Sequence, residues 1–219
     1  RKVLISAPAN GADQTIVYGL NHKKLRKSHT IVSNASCTTN CLAPVAHIIH
    51  RVCDIKQGFM TTVHAYTGDQ NMVDTLHPDP RRARAAAVSM IPTSTGAAKA
   101  IGLVLPELDG RLDGSSIRVP TPNVSMVDLT VTTARPTTSD AINAAMKKAA
   151  NGSFKGILQV VDEPMVSIDF NHNTHSSVFD LTQTQVMGGR LVRILSWYDN
   201  EWGFANRMSD TAVAMGKLI

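Results

Sequence analysis

Two kinds of hydrophobic patterning divide this chain, and together they restrict what it can fold into. From Val124 to Thr133 the residues alternate, with Val127, Leu129 and Val131 set against Asp128, Thr130 and Thr132. A period of two with one polar side predicts an antiparallel strand that packs one face on a core and turns the other to water. The first residues behave differently. Lys2 to Ala7, Thr15 to Leu20 and Thr30 to Ser33 read as short strands in near-continuous apolar runs, separated by polar turns such as Asn10-Gly11. Runs of that kind suit a parallel sheet covered on both faces. A chain carrying both patterns is expected to open with α/β elements and continue into an α+β body with a mainly antiparallel sheet.

Further elements follow from spacing. Between Cys37 and Cys53, apolar residues at Leu42, Val45, Ala46, Ile49 and Val52 recur at helical intervals, and the helix either begins just before Pro44 or kinks there. Gly58 to Tyr66 reads as a strand. The polar stretch from Thr67 to Thr95 shows little periodicity, and loops of that length in compact domains are usually functional or disordered. Ala97 to Leu105 and Ser139 to Ala150 read as helices, the second with Ser139 or Asp140 near its N-cap, and Gly189 to Tyr198 as a strand. Phe204, Met208, Thr211, Met215 and Ile219 mark one face of a final helix.

Composition narrows the function classes. The 219 residues carry a formal charge of +5, with 43% hydrophobic, 18% charged and 5% aromatic residues, as expected of a globular protein. The basic clusters Lys23, Lys24, Arg26, Lys27 and Arg81, Arg82, Arg84 lack the interleaved aromatic platform of single-strand nucleic-acid binders, so nucleic acid is not expected as the main partner. An excess of positive charge also suits a protein that handles anionic metabolites. No apolar run approaches the ~20 residues of a membrane span. Arg1 to Ala9 imitates a signal peptide, but its apolar centre is only Val3 to Ile5, so a buried strand is the better reading. Three cysteines, an odd number in a chain this long, argue against a disulfide framework and for a reducing, cytoplasmic compartment.

The sharpest local feature is Ser33-Asn34-Ala35-Ser36-Cys37-Thr38-Thr39-Asn40-Cys41. A cysteine between a strand end and a helix start sits where free N–H groups and the positive end of the helix dipole favour thiolate over thiol. The bland alternative is a small buried hydrophobe, the usual fate of a free cysteine. Cys41 lies one turn on, on the same helix face, without the ligand spacing of a metal site, and Cys53 reads as core. Among the eight histidines, His64 alone ends a predicted strand, just before the Thr67-Gly68-Asp69 turn. There it is placed either to share a proton with Cys37 or to be a satisfied core residue.

Several motifs carry a resemblance to a known family. Ala35-Ser36-Cys37-Thr38-Thr39-Asn40-Cys41-Leu42-Ala43-Pro44 is similar to the active-cysteine signature of phosphorylating glyceraldehyde-3-phosphate dehydrogenases. His64-Ala65-Tyr66-Thr67, Arg81-Arg82-Ala83-Arg84-Ala85-Ala86, Thr95-Gly96-Ala97-Ala98-Lys99-Ala100, Arg118-Val119-Pro120-Thr121-Pro122 and Trp197-Tyr198-Asp199-Asn200-Glu201-Trp202-Gly203 follow in the family's order. The resemblance implies that Cys37 is the nucleophile and His64 its base, with the imidazolium also stabilising the thiolate at rest. It implies that Ser36, Thr38, Thr67, Thr95, Gly96 and Arg118 contact the substrate phosphate or inorganic phosphate, and that Ser6 and Asn200 contact NAD. No metal is implied. It further implies a homotetramer in which the 67–95 segment is an S-shaped loop reaching a neighbouring subunit.

The same resemblance divides the chain. Residues 1–36 correspond to the last strands of an α/β Rossmann domain, 37–202 to an α+β catalytic domain with a mainly antiparallel sheet, and 203–219 to a helix packing back on the Rossmann part. None of the fourteen glycines forms Gly-x-Gly-x-x-Gly, so the chain is expected to be a fragment lacking the dinucleotide fingerprint, and the isolated chain to be inactive in hydride transfer. Phe204 stands where many members have tyrosine, and Thr75-Leu76 favours NAD over NADP. Two rival readings are an erythrose-4-phosphate dehydrogenase and a catalytically silent fragment acting as a binding module.

Overall fold

The alternating segment becomes strand β7 (Ser125–Thr133), and its burial follows the sequence: Val127, Leu129 and Val131 are buried while Asp128, Thr130 and Thr132 stand partly exposed. A computed structural model describes all residues, 1–219. Ahead of β7 the chain forms β1 (Val3–Ile5), β2 (Gln14–Thr15), β3 (Ile31–Ser33), α1 (Cys37–Cys53), β4 (Ile55–Ala65), β5 (Ile91–Ser94), the short α2 (Ile101–Val104) and β6 (Leu112–Val119). After it come α3 (Ser139–Ala150), β8 (Leu158–Val161), β9 (Ser177–Asp180), β10 (Gln185–Met187), β11 (Leu191–Tyr198) and α4 (Trp202–Gly216).

The main sheet runs β5-β6-β4-β7-β11-β9-β8, with β10 paired to β11. Only β4/β6 and β8/β9 are parallel, so the sheet is mainly antiparallel, as its period-two strands predict. Helices α1 and α3 cover one face. Leu42, Val45 and Ile49 of α1 and Ile142 and Met146 of α3 join Met60, Val127, Leu129 and Ile194 in one apolar core. The opposite face carries Phe59, Thr130 and Thr132 at least partly exposed. A separate three-stranded sheet, β1-β3-β2, is parallel throughout; β1 and β3 fall within the apolar runs expected to form it, whereas β2 is Gln14–Thr15 and meets its run only at Thr15.

Several expectations are corrected. Of the two alternatives for α1, a start just before Pro44 fails: the helix starts at Cys37, where a helix-start cysteine was expected, and continues through the proline to Cys53. Pro44 gives the Asn40 carbonyl no N–H, but complete burial of Leu42, Val45, Ala46 and Ile49 outweighs the one missing bond. Strand β2 stops at Thr15 instead of reaching Leu20, because Asn21 folds back: its side chain accepts from Val17 N at 2.8 Å and donates to Thr15 O at 2.9 Å. The helix expected over 97–105 is a single turn preceded by turns. The N-cap of α3 is Thr138, whose hydroxyl accepts from Ala141 N, not Ser139 or Asp140.

The last helix, α4, buries Gly203, Arg207, Thr211 and Met215. Thr211 and Met215 meet expectation; Phe204 and Met208 are only partly buried, and Ile219 lies exposed beyond the helix. Hydrophobic spacing could not reveal the rest of this face because Gly203 and Arg207 carry no apolar side chain. Gly203 allows the helix to approach the His175 carbonyl, 2.7 Å from where a Cβ would stand, and Arg207 donates to Gly156 O at 3.0 Å. Met215 packs with Ile16 and Val32, which joins α4 to the small sheet.

The stretch 67–90 is a loop, and its continuation forms the edge strand β5. Contacts within the chain cross the loop: Arg82 pairs with Asp69 at 2.6 Å, Arg84 with Asp74 at 3.2 Å, and Thr75 N donates to Ala83 O.

Candidate active site

The turn between β3 and α1 sets the position of Cys37. Ala35 has φ +58, a left-handed conformation that non-glycine residues rarely adopt and that costs about 1–3 kcal/mol. It is held by Asn40, whose amide donates to the Asn34 and Ser36 carbonyls at 2.9 Å each. Ser36 then caps α1, its hydroxyl accepting from Thr39 N at 3.0 Å. Cys37 is therefore the first residue of a helix of 17 residues, at the positive end of its dipole.

His64 arrives from the sheet. It is the penultimate residue of β4, is buried, and sits in register with Arg118 of the parallel neighbour β6. Its Nε2 lies 3.6 Å from Cys37 Sγ. Its Nδ1 lies 2.7 Å from Ala65 O and 3.1 Å from Arg118 Nη1. Arg118 Nη1 also reaches Ala65 O at 3.1 Å and Thr67 Oγ1 at 2.9 Å. A guanidinium nitrogen only donates, and the two hydrogens on Nη1 are matched by those two oxygens. The count assigns the imidazole proton to Nδ1, facing Ala65 O. The Nε2 lone pair then faces the thiol, which is the tautomer a general base requires.

Charge and burial act on this pair in opposite senses. Burial pushes the Cys37 thiol above its ordinary value, offset in part by Thr38 and by the Arg118 charge. Burial, then Arg118, pushes His64 down to about 4. Both net shifts favour neutral thiol and neutral imidazole at rest, rather than the imidazolium–thiolate pair that the resemblance implies.

A cavity of about 190 Å³ opens on Cys37. Of the expected contact residues, Ser36, Thr38, Thr95, Gly96 and Arg118 line it with Cys37 and His64. The Thr38 hydroxyl is engaged with Tyr198 OH at 2.8 Å, and Thr95 Oγ1 accepts from Ala97 N. Thr67 does not line the cavity; it is joined to it through Arg118 and itself donates to Asp69. Asn200 stands behind β4, where its carbonyl accepts from Ser125 Oγ at 2.8 Å, and Ser125 Oγ in turn accepts from Ala65 N at 3.0 Å. Ser6 lies exposed after β1, away from the lining, where Pro8 is the nearer contributor.

Sequence reasoning missed four polar members of the site. Thr62, Ser94 and Ser116 line the cavity, and Tyr198 OH bridges Thr38 and Thr62 at 2.8 Å each while its ring meets His64 edge-on. For Thr62 and Ser116 the only available signal is strand register with the histidine and arginine two residues on.

Comparison with known proteins shows the family to which the chain belongs. A family model described as glyceraldehyde 3-phosphate dehydrogenase, C-terminal domain, matches residues 36–200. The chain is 67% identical over 218 residues to glyceraldehyde-3-phosphate dehydrogenase of Xanthobacter flavus, covering 100% of this chain and 65% of the relative. It is 67% identical over 219 residues to the protein of that name from Cereibacter sphaeroides, covering 100% of this chain and 66% of the relative. It is 58% identical over 221 residues to that of Zymomonas mobilis, covering 100% of this chain and again 66% of the relative. The chain thus spans about 65% of the length of the curated relatives it matches. No helix is long and apolar enough to cross a membrane.

Proposed function

Because this chain belongs to the glyceraldehyde 3-phosphate dehydrogenase family through its C-terminal domain, we propose that it is the catalytic portion of an enzyme that oxidises D-glyceraldehyde 3-phosphate to 1,3-bisphosphoglycerate with NAD. The observation that carries the reading is the approach of Cys37 Sγ to His64 Nε2, 3.6 Å, in a cavity walled by Arg118.

The chemistry runs through Cys37. Its sulfur attacks the aldehyde carbon as the thiol proton passes to Nε2 of His64, and the resulting oxyanion takes that proton back from Nε2 to give a hemithioacetal, leaving the imidazole neutral. His64 next accepts the hemithioacetal hydroxyl proton during oxidation to the thioester. When bound, NAD supplies the hydride acceptor for that oxidation. Inorganic phosphate then attacks the thioester carbonyl, the C–S bond breaks, and acyl phosphate leaves with Cys37 restored. Arg118, Thr95 and the backbone at Gly96 suit phosphoryl oxygens because they offer a cation, a hydroxyl and an N–H.

Asn200 fits the cofactor role: with its carbonyl held by Ser125, its amide N–H remains free to donate to a carboxamide. Ser6 would contact the cofactor from the end of β1. Residues 1–36 are read as the last strands of a dinucleotide-binding domain, 37–202 as the catalytic domain, and 203–219 as the helix that packs on the former. Contact of Met215 with Ile16 and Val32 supports that division. Exposed Val73, Leu76, Val88 and Met90 along the 67–90 loop suit burial against further subunits, supporting a homotetramer, and Thr75-Leu76 favours NAD. Three unpaired cysteines suit a reducing compartment, which supports a cytoplasmic location.

The test is turnover of the intact enzyme with glyceraldehyde 3-phosphate, NAD and phosphate, read at the reduced-cofactor band, with erythrose 4-phosphate as comparator. Trapping an acyl group on the Cys37 peptide by mass spectrometry is the expected companion result. Acylation at Cys41 or Cys53, or a rate indifferent to phosphate, would refute the proposal.

A further inference from the structure

We propose that Ser116 is a further hydrogen-bond donor to a phosphoryl group in the Cys37 cavity, acting beside Arg118. The inference rests on the reading of that cavity as a phosphate-handling site.

Thr62 of β4, Ser116 of β6 and Thr93 of β5 share one register across three neighbouring strands. Residues paired across strands project from the same face of a sheet, so three hydroxyls stand in a row below His64 and Arg118. The outer two have partners: Thr62 bonds Tyr198 OH at 2.8 Å, and Thr93 accepts from Arg82 Nε and Nη2 at 2.9 and 2.8 Å. The middle one has none. Ser116 is 3% exposed, and its Oγ is buried without a hydrogen bond. Buried hydroxyls are seldom left so, because the lost bond to water is not replaced.

Two residues on, and on the same face of the strand, Arg118 Nε is also buried without a partner. Both residues line the cavity that Cys37 opens into. One wall therefore presents an O–H and an N–H with no acceptor, while Arg118 Nη1 is fixed on Ala65 O and Thr67 Oγ1. A ligand that satisfies both needs at least two acceptor oxygens, and the guanidinium charge selects an anion. A phosphoryl group has three such oxygens; an aldehyde carbonyl has one. The phosphoryl group is either the one esterified to the substrate or the attacking inorganic phosphate.

The experiment compares the intact enzyme with its Ser116→Ala and Ser116→Thr variants, after melting curves establish that all are folded. Three quantities are measured: KM for inorganic phosphate, KM for glyceraldehyde 3-phosphate, and kcat/KM for unphosphorylated glyceraldehyde. Ser116→Ala is expected to raise one of the two phosphoryl KM values roughly tenfold, as loss of a hydrogen bond to a charged group does. The one that rises identifies the phosphoryl group bound. Glyceraldehyde kinetics should stay within about twofold, and Ser116→Thr, which keeps the hydroxyl, should restore the raised KM. Unchanged values for both phosphoryl ligands would overturn the assignment. So would an equal loss on glyceraldehyde, which would make the hydroxyl a packing element. A wild-type rate indifferent to phosphate would overturn the reading of the site itself, and the assignment with it.

Discussion

Arg118 Nη1 stands 3.1 Å from His64 Nδ1, and both nitrogens direct a hydrogen at the same carbonyl, that of Ala65. Two donors this close hold the imidazole in one tautomer, and the fixed cation opposes a second positive charge on the ring. The same cation favours negative charge on the Cys37 sulfur. One residue therefore eases removal of the thiol proton while lowering the basicity of the group that receives it.

Neutralising Arg118 separates these effects from burial, which would remain. In Arg118→Gln the His64 value should rise from about 4 toward the ordinary 6.5, and the Cys37 thiol should rise further above its ordinary value. The His64 change is read from imidazole proton shifts, and the thiol change from the pH dependence of alkylation by iodoacetamide, whose midpoint should move to higher pH. An imidazole titration that stays put would show that burial alone sets His64.

The depressed His64 value also makes stability depend on pH. Below about 6.5 the unfolded chain protonates this histidine, whereas the folded chain does not until about 4. The unfolded state thus binds more protons in that window, and stability falls as pH drops through it. At pH 4 the loss from His64 is on the order of 3 kcal/mol. Denaturant unfolding at pH 7 and pH 4.5 should show a smaller difference for His64→Gln than for the unaltered protein. Equal differences would mean that the ring is protonated in the folded state.

Labelling should single out Cys37. Cys41 and Cys53 have no exposed surface, and burial pushes the Cys41 thiol up to about 12 and Cys53 above its ordinary value. Thiolate and access are both required for reaction. Iodoacetamide under native conditions should modify Cys37 first, and the other two only after unfolding, as peptide mapping would record. Early modification of Cys41 would contradict the burial described.

How far the sequence disclosed this arrangement depended on whether a position was set locally or by distant pairing. Strand β7 was legible because its neighbours β4 and β11 make a simple two-sided environment, which alternation reports directly. Cys37 was legible as a helix-start cysteine because Ser36 and the turn before it are local. Strand β6 was not: Asp113-Gly114-Ser115-Ser116 is too polar to read as a strand, and its buried hydroxyl is explained only by register with Thr62 and Thr93. The pairing of Cys37 with His64 likewise depends on where β4 sits beneath α1. Residue spacing left that contact open, and only the resemblance of the motifs singled it out.

Tyr198 offers the most direct test that the helix and the sheet are tied together at the reacting pair. Its fully buried hydroxyl bonds Thr38 Oγ1, one residue beyond Cys37, and Thr62 Oγ1, two residues before His64, each at 2.8 Å. Tyr198→Phe keeps the ring, including its edge contact with His64, and leaves both threonine hydroxyls buried without that partner. The expected cost is about 1–3 kcal/mol, seen as a lower denaturation midpoint with an unchanged denaturant slope. Cys37 alkylation should slow several-fold, because Sγ and Nε2 are no longer held at one separation. Thr62→Val removes one of the same two bonds and should cost about 1 kcal/mol alone. If the hydroxyl acts as a bridge, the double variant loses less than the sum of the two, since the second change removes a bond already gone. Strictly additive losses would show that Tyr198 and Thr62 contribute independently, and the tie between α1 and β4 would have to lie elsewhere.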